Sequence, residues 1–195
     1  MDRSMALSLT RSTVVAAPET TRQERAAFVF EAIYGEHFRG VWRTLRRLGV
    51  ADAQLDDAAQ DVFVVVHRRL GDFDGRSLRG WLYAIAVRVA SDYRREAERR
   101  QVVPLAESIA DASPGPGRAS ELNEAVRLLH ALLAQLDIDK RTVFVLAELE
   151  QLTVPEIAEA LGANLNTIYS RQRAARAQFD TALRRHRERN GSKEP

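Results

Sequence analysis

The sequence predicts an all-α protein made of two small helical domains joined by a flexible linker. Three observations carry that expectation. Apolar residues recur at helical spacing in several blocks and nowhere alternate convincingly as a strand would. A stretch rich in Pro, Gly and Ser, DASPGPGRAS from Asp111 to Ser120, interrupts the pattern near the middle. After it, from Leu152 to Arg176, two short apolar blocks flank a single glycine, the signature of a helix-turn-helix.

Length and composition set the frame. A chain of 195 residues holds one domain or two small ones. With 29% charged and 45% apolar residues, it has the make-up of a water-soluble globular protein. No run approaches the roughly 18 apolar residues of a membrane span. The first 21 residues lack a continuous apolar core, so they read as a disordered leader and not as a signal peptide. Cysteine is absent, which excludes disulfides and thiolate metal sites and suits a cytoplasmic protein. The four histidines, at 37, 67, 130 and 186, include no pair at the spacing that grips zinc from one helix face. Neither a catalytic set, a metal site nor a cofactor motif is expected.

Taken in order, the first helical block runs from about Arg22 to Leu48. Its stripe of Phe28, Ile33, Tyr34, Phe38, Val41, Trp42, Leu45 and Leu48 fits one or two amphipathic helices ended by Gly49. A further helix spans roughly Ala53 to Leu70, with Leu55, Ala59, Val62, Phe63, Val66 and Leu70 inward. GDFDGRSLRG, Gly71 to Gly80, reads as a loop. The next helix runs from about Leu78 to Ala97 and buries Leu82, Ile85, Ala86, Val89 and Tyr93. Residues 100–120 are the expected linker. Leu122, Val126, Leu129, Leu133 and Leu136 then resume the helical period, and Val143, Leu146 and Leu149 mark another helix. The domains are placed at 22–99 and 121–189, with a tail over 190–195.

The Leu152–Arg176 stretch carries local signals at each step. Thr153 and Glu156 have the spacing of a capping box, and Pro155 falls in the first turn, where its missing N–H costs little. Ile157, Ala158 and Leu161 form the apolar stripe, Gly162 is the natural stop, and Asn164 suits the cap of the second helix. With Ile168, Gln172, Ala175 and Phe179 inward, Asn166, Thr167, Tyr169, Ser170 and Arg173 point outward. Asn and Arg make bidentate contacts with adenine and guanine edges in the major groove, and the flanking Arg171 and Arg176 suit phosphates. Duplex DNA is the expected ligand of this face.

The net charge of +2 hides strong local imbalance. Arg76 to Arg100 holds seven arginines against three acids; Asn166 to Asn190 holds seven against two. Between them, Glu121 to Leu165 holds eight acids against three bases. Two basic patches suggest two contacts with a polyanion. In the first domain, Phe73, Arg76, Trp81, Arg88, Asp92 and Arg95 interleave aromatic and basic groups, which suits stacking of unpaired bases beside held phosphates. Asp57, Gln60 and Asp61 form a polar strip broken by Val64, as a docking face for a basic partner would be.

The order of these features resembles a bacterial sigma factor of the extracytoplasmic-function group, the minimal form of the sigma-70 family. The likeness covers about Ala26 to Arg187. DDAAQDVFVVVHRRL, Asp56 to Leu70, is similar to the helix that binds core polymerase. FDGRSLRGWLYAIAVRVASDYRR, Phe73 to Arg95, resembles the segment that recognises and melts the −10 element. LDIDKRTVFVLAELEQLTVPEIAEALGANLNTIYSRQRAAR resembles the domain that binds the −35 element. The chain departs from the usual pattern at Asp61, His67, Arg88, Asp137, Asn166 and Tyr169.

The resemblance implies a region 2-like and a region 4-like domain in a transcription initiation factor without covalent chemistry of its own. Its partners would be the beta and beta-prime subunits of core RNA polymerase, met through Asp57, Gln60, Asp61 and Val64, and promoter DNA. An anti-sigma factor is a further partner the resemblance allows. The alternative is a stand-alone helix-turn-helix regulator whose first domain senses a ligand or dimerises. An acid–base or metal enzyme built on Asp56, Asp57 and Asp61 lacks partner residues.

Overall fold

In the computed structural model, residues 22–101 and 118–191 are described, and all regular structure among them is helical. The first unit contains α1 (Arg22–Arg47), α2 (Leu55–Arg69) and α3 (Leu78–Gln101). The second contains α4 (Arg118–Leu133), α5 (Ile138–Phe144), α6 (Val154–Leu161) and α7 (Leu165–Gly191). The all-α, two-unit architecture expected from the sequence is the one observed. The expected leader over 1–21 lies outside the described residues, as does 102–117, the greater part of the expected linker. α3 runs four residues beyond the expected Ala97, and α4 already begins at Arg118, so helix occupies both ends of that stretch.

The first block is one helix, not two. It ends as Gly49, at φ +90°, lets its own amide reach Arg46 O and the Val50 amide reach back to Leu45 O at 3.1 Å. Val41 and Leu45 of α1, with Leu48 just beyond its end, meet Leu55, Ala59, Val62 and Val66 of α2 and Leu82 and Ala86 of α3, all excluded from water. Each such aliphatic side chain contributes about 1.5–3 kcal/mol over leaving it exposed. Tyr34 departs from its expected core position: it is 42% exposed. Its ring instead leans on Phe38 and Phe63, with centroids 5.1 and 4.8 Å away. The apolar stripe of α1 is wider than the seam with α2 and α3, so its edge stays at the surface.

In the second unit Asp137 caps α5 by accepting from the Lys140 amide at 2.9 Å. The chain then widens into a π-helical stretch, Val145–Leu149, closed by the Glu150 amide donating to Val145 O at 3.0 Å. Leu146 stays in the core while Glu148 turns towards α7 and Glu150 towards the first unit. Gln151 follows at φ +57°, the only described non-glycine residue with positive φ. The helix-turn-helix forms as its local signals require. The Thr153 amide donates to Glu156 Oε2 at 2.8 Å, Gly162 closes α6 at φ +60°, and Asn164 Oδ1 accepts from the Asn166 amide at 2.8 Å. Ile168 and Ala175 are fully buried, and Phe179 stacks on Phe144 at 4.6 Å.

Replacing Thr153 with Ala removes the hydroxyl side of the capping box and should lower stability by about 1 kcal/mol. Urea unfolding followed by far-UV circular dichroism measures this; an unchanged midpoint would mean α6 is held by packing alone.

Candidate nucleic-acid interface

Three surfaces gather the residues singled out from sequence. On α2, Asp57 and Gln60 are exposed and Val64 is 38% exposed. Asp61 accepts from Tyr93 OH at 2.8 Å, and Asp56 accepts from Trp42 Nε1 at 2.9 Å, so α1 and α3 orient both carboxylates. Burial first, and then the bond to Asp61, push the Tyr93 phenol up to about 12, so it remains a donor. Beside Val64 runs an apolar groove floored by Phe30, Tyr34, Phe38, Phe63 and His67. Sequence reading missed this aromatic wall. The i, i+4, i+8 spacing of Phe30, Tyr34 and Phe38 is visible in the sequence, but periodicity assigns Tyr34 and Phe38 to the core and leaves Phe30 out of the stripe.

The second surface lies where the loop enters α3. Phe73 and Trp81 pack with ring centroids 5.3 Å apart, both half-buried. Arg76 is exposed and pairs with Asp74 at 3.3 Å. Arg88 stands two helical turns beyond Trp81 and is exposed. Arg76, Trp81 and Arg88 share one cavity of about 280 Å³. Asp92 and Arg95, an ion pair at 3.8 Å, lie farther along α3 and do not line it. The opposite wall of the cavity is α6, through Glu156, Glu159 and Ala160.

The third surface is the outer face of α7. Asn166, Ser170 and Arg173 are exposed, Tyr169 is 55% exposed, and Thr167 is half-buried with its carbonyl accepting from the Ser170 hydroxyl at 3.0 Å. Arg173 makes no hydrogen bond or ion pair with a described residue. Arg171 and Arg176 differ. Arg171 donates to Asp139 at 2.5 Å and Arg176 to Glu148 at 2.7 Å, so both are tethered within the second unit.

These surfaces are an apolar groove beside α2, an arginine-lined recess at the start of α3 and the polar outer face of α7. Comparison with known proteins gives the family. Residues 33–100 match the model described as Sigma-70 region 2, and residues 127–179 that of Sigma-70, region 4. The chain is 30% identical over 162 residues to the RNA polymerase sigma factor NccH of Alcaligenes xylosoxydans xylosoxydans, spanning 80% of this chain and 87% of that protein. It is 32% identical over 150 residues to the ECF RNA polymerase sigma factor SigL of Mycobacterium tuberculosis, spanning 74% and 83%. The structure of CnrH in complex with the cytosolic domain of CnrY aligns with a TM-score of 0.62 at 27% identity, over 82% of this chain and 92% of that one. The sigma factor RpoE of Bartonella quintana, solved with the anti-sigma factor NepR, shares the fold with a TM-score of 0.63 at 20% identity, over 80% and 97%.

The chain belongs to the sigma-70 family of RNA polymerase sigma factors, in its extracytoplasmic-function group. It is an initiation factor that binds core RNA polymerase and directs it to promoters. A stand-alone helix-turn-helix regulator finds no support, because residues 33–100 of the first unit match Sigma-70 region 2. Sigma factors as a family are not enzymes. No described helix is long and apolar enough to cross a membrane.

The wall of the α3 cavity has a titratable consequence. Hydrogen bonds from the Ser77 hydroxyl and then from the Thr153 amide and hydroxyl hold the Glu156 carboxyl below its ordinary value of 4.5. A carboxyl depressed in the folded state adds stability above its unfolded value, and that contribution fades as pH falls through the lower folded one. Chemical unfolding of the wild type and Glu156→Gln should therefore converge below pH 4.5. Parallel stability curves through that range would show the donors are not engaged in solution.

Proposed function

We propose that the three surfaces divide the work of promoter initiation. The α2 face of Asp57, Gln60, Asp61 and Val64, with its aromatic groove, docks on core RNA polymerase. An apolar centre ringed by carboxylates suits a basic, partly apolar partner helix. Phe73, Arg76, Trp81, Arg88, Asp92 and Arg95 recognise and melt the −10 element. The half-buried Phe73–Trp81 pair offers ring edges on which unstacked bases stack, offsetting a few kcal/mol of unpairing, while arginines hold the backbone. Asn166, Thr167, Tyr169, Ser170, Arg171, Arg173 and Arg176 bind the −35 duplex through α7.

The observation that carries this reading is the clustering of Trp81, Arg76 and Arg88 around one recess. Opening is driven by binding. The factor works in the cytoplasm, where its polymerase is. An anti-sigma partner is a further expectation, prompted by the RpoE–NepR complex.

Run-off transcription with core polymerase tests the whole reading. A promoter-specific transcript should appear only when the factor is added, and no such transcript on any template would sink it. Val64→Glu should weaken core binding about tenfold, near 1.4 kcal/mol, by desolvating a charge in the apolar centre. Arg173→Ala should cost about 1–3 kcal/mol on the preferred −35 sequence and relax its specificity there. Equal loss on every sequence would reduce Arg173 to a phosphate contact.

A further inference from the structure

The helical period assigns Trp42 and Tyr93 to the core, yet each is only half-buried and carries its polar atom to the surface of α2. From α1, Trp42 Nε1 donates to Asp56 Oδ1 at 2.9 Å; from α3, Tyr93 OH donates to Asp61 Oδ2 at 2.8 Å. An indole N–H can only donate, and a carboxylate can only accept. The phenol is as fixed in its role. Burial, then Asp61 and last the charge of Asp57 push it up to about 12, so its proton stays on the ring.

Asp56 and Asp61 bracket the exposed face of α2. Five positions apart, they are separated by about 7.5 Å along the axis and about 140° around it. Asp57, Gln60 and Val64 fall within that arc. Both carboxylates are exposed, and each engages one oxygen with its ring. Asp56 Oδ2 and Asp61 Oδ1 make no hydrogen bond or ion pair with a described residue. Hydrogen bonds at the surface contribute little to folding, because water competes for both partners. What these two bonds fix is direction: a side chain that would otherwise move among staggered rotamers holds one oxygen outward.

We infer that Trp42 and Tyr93 are positioning residues for the docking of core RNA polymerase. They pre-orient Asp56 and Asp61 as twin anchors for two cationic side chains of the partner, one on each flank of Val64. Asp56 thereby joins the docking face, and α3 serves polymerase through Tyr93 while its Trp81 and Arg88 serve DNA. The inference rests on the assignment of α2 to polymerase. A carboxylate ordered before docking spares association the cost of immobilising it, about threefold to tenfold in affinity.

Double-mutant cycles test this with the full chain, labelled at its amino terminus and titrated with core RNA polymerase under fluorescence anisotropy. Tyr93→Phe deletes one hydroxyl and should weaken binding about fivefold. The same change in an Asp61→Asn background should have no further effect, because the charge it orients is gone. Trp42→Phe should behave likewise against Asp56→Asn. Tyr93→Phe keeps the ring and its packing, so the cycle at Asp61 decides even where Trp42→Phe loses stability in urea.

Equal losses with and without the carboxylate would mean that the rings act through packing alone, and would overturn the inference. Weakened binding in Asp56→Asn and Asp61→Asn, with full affinity in both ring variants, also overturns it but leaves docking on α2 intact. Full affinity in both carboxylate variants removes their docking assignment, and the inference falls with it.

Discussion

A carboxylate taken out of water costs several kcal/mol unless donors replace its hydration. Glu150 meets that condition only because α1 and α3 supply a hydroxyl, a guanidinium and a phenol at its two oxygens. Much of the local architecture follows from delivering it there. The π-helical stretch separates Glu148 from Glu150 so that one faces α7 and the other α1 and α3. Gln151 accepts a left-handed backbone so that the chain can turn at once into α6. A backbone held in that region costs of order 1–3 kcal/mol, and it persists where its surroundings over-determine it. On the other side, burial and then the bond to Glu150 push the Tyr83 phenol up to about 12, which keeps its proton in place for the contact.

The parts of the structure legible in sequence are those whose causes are local. Thr153, Glu156, Gly162 and Asn164 each act within three or four residues of themselves, and all four behave as their chemistry requires. The core faces of α2 and α3 follow from period alone. The docking groove was half legible. Val64 stood out because it interrupts polar residues, whereas Tyr34 was assigned inward because a helical period reports direction but not the width of the neighbouring seam. The contact between units was not legible at all. Thr44 and Glu150 are 106 positions apart, and Ser77 and Glu156 are 79 apart. In sequence, Glu150 was one of eight acids in a negative stretch, with nothing to distinguish it from a solvated one, and Glu156 was marked only as a capping-box residue.

That negative stretch gains a meaning from the fold. Five of its eight acids fall to three tasks. Asp139 and Glu148 tie Arg171 and Arg176 of α7, Glu150 holds the two units together, and Glu156 and Glu159 line the recess of α3. Cations and anions that alternate along the chain are thus matched in space, so a modest net charge coexists with concentrated positive faces. Exposed ion pairs of this kind add only about 0–1 kcal/mol each. Their importance lies in which arginines they occupy and which they leave available.

On α7 this distinction separates holding from reading. A phosphate approaching Arg171 or Arg176 must compete with Asp139 or Glu148, so each gains DNA only by giving up a partner already in place. Arg173 has no partner to surrender, and it shares its face with Asn166 and the exposed Tyr169. Its guanidinium can therefore meet a base edge at full strength, where bidentate geometry discriminates between bases by about 1–3 kcal/mol. On the proposed reading the flanking arginines would exchange one carboxylate for one phosphate, which contributes little net affinity but fixes where a helix sits along a groove. On the proposed −35 reading, selectivity falls to Asn166, Tyr169 and Arg173, the last of which is tied to no described residue.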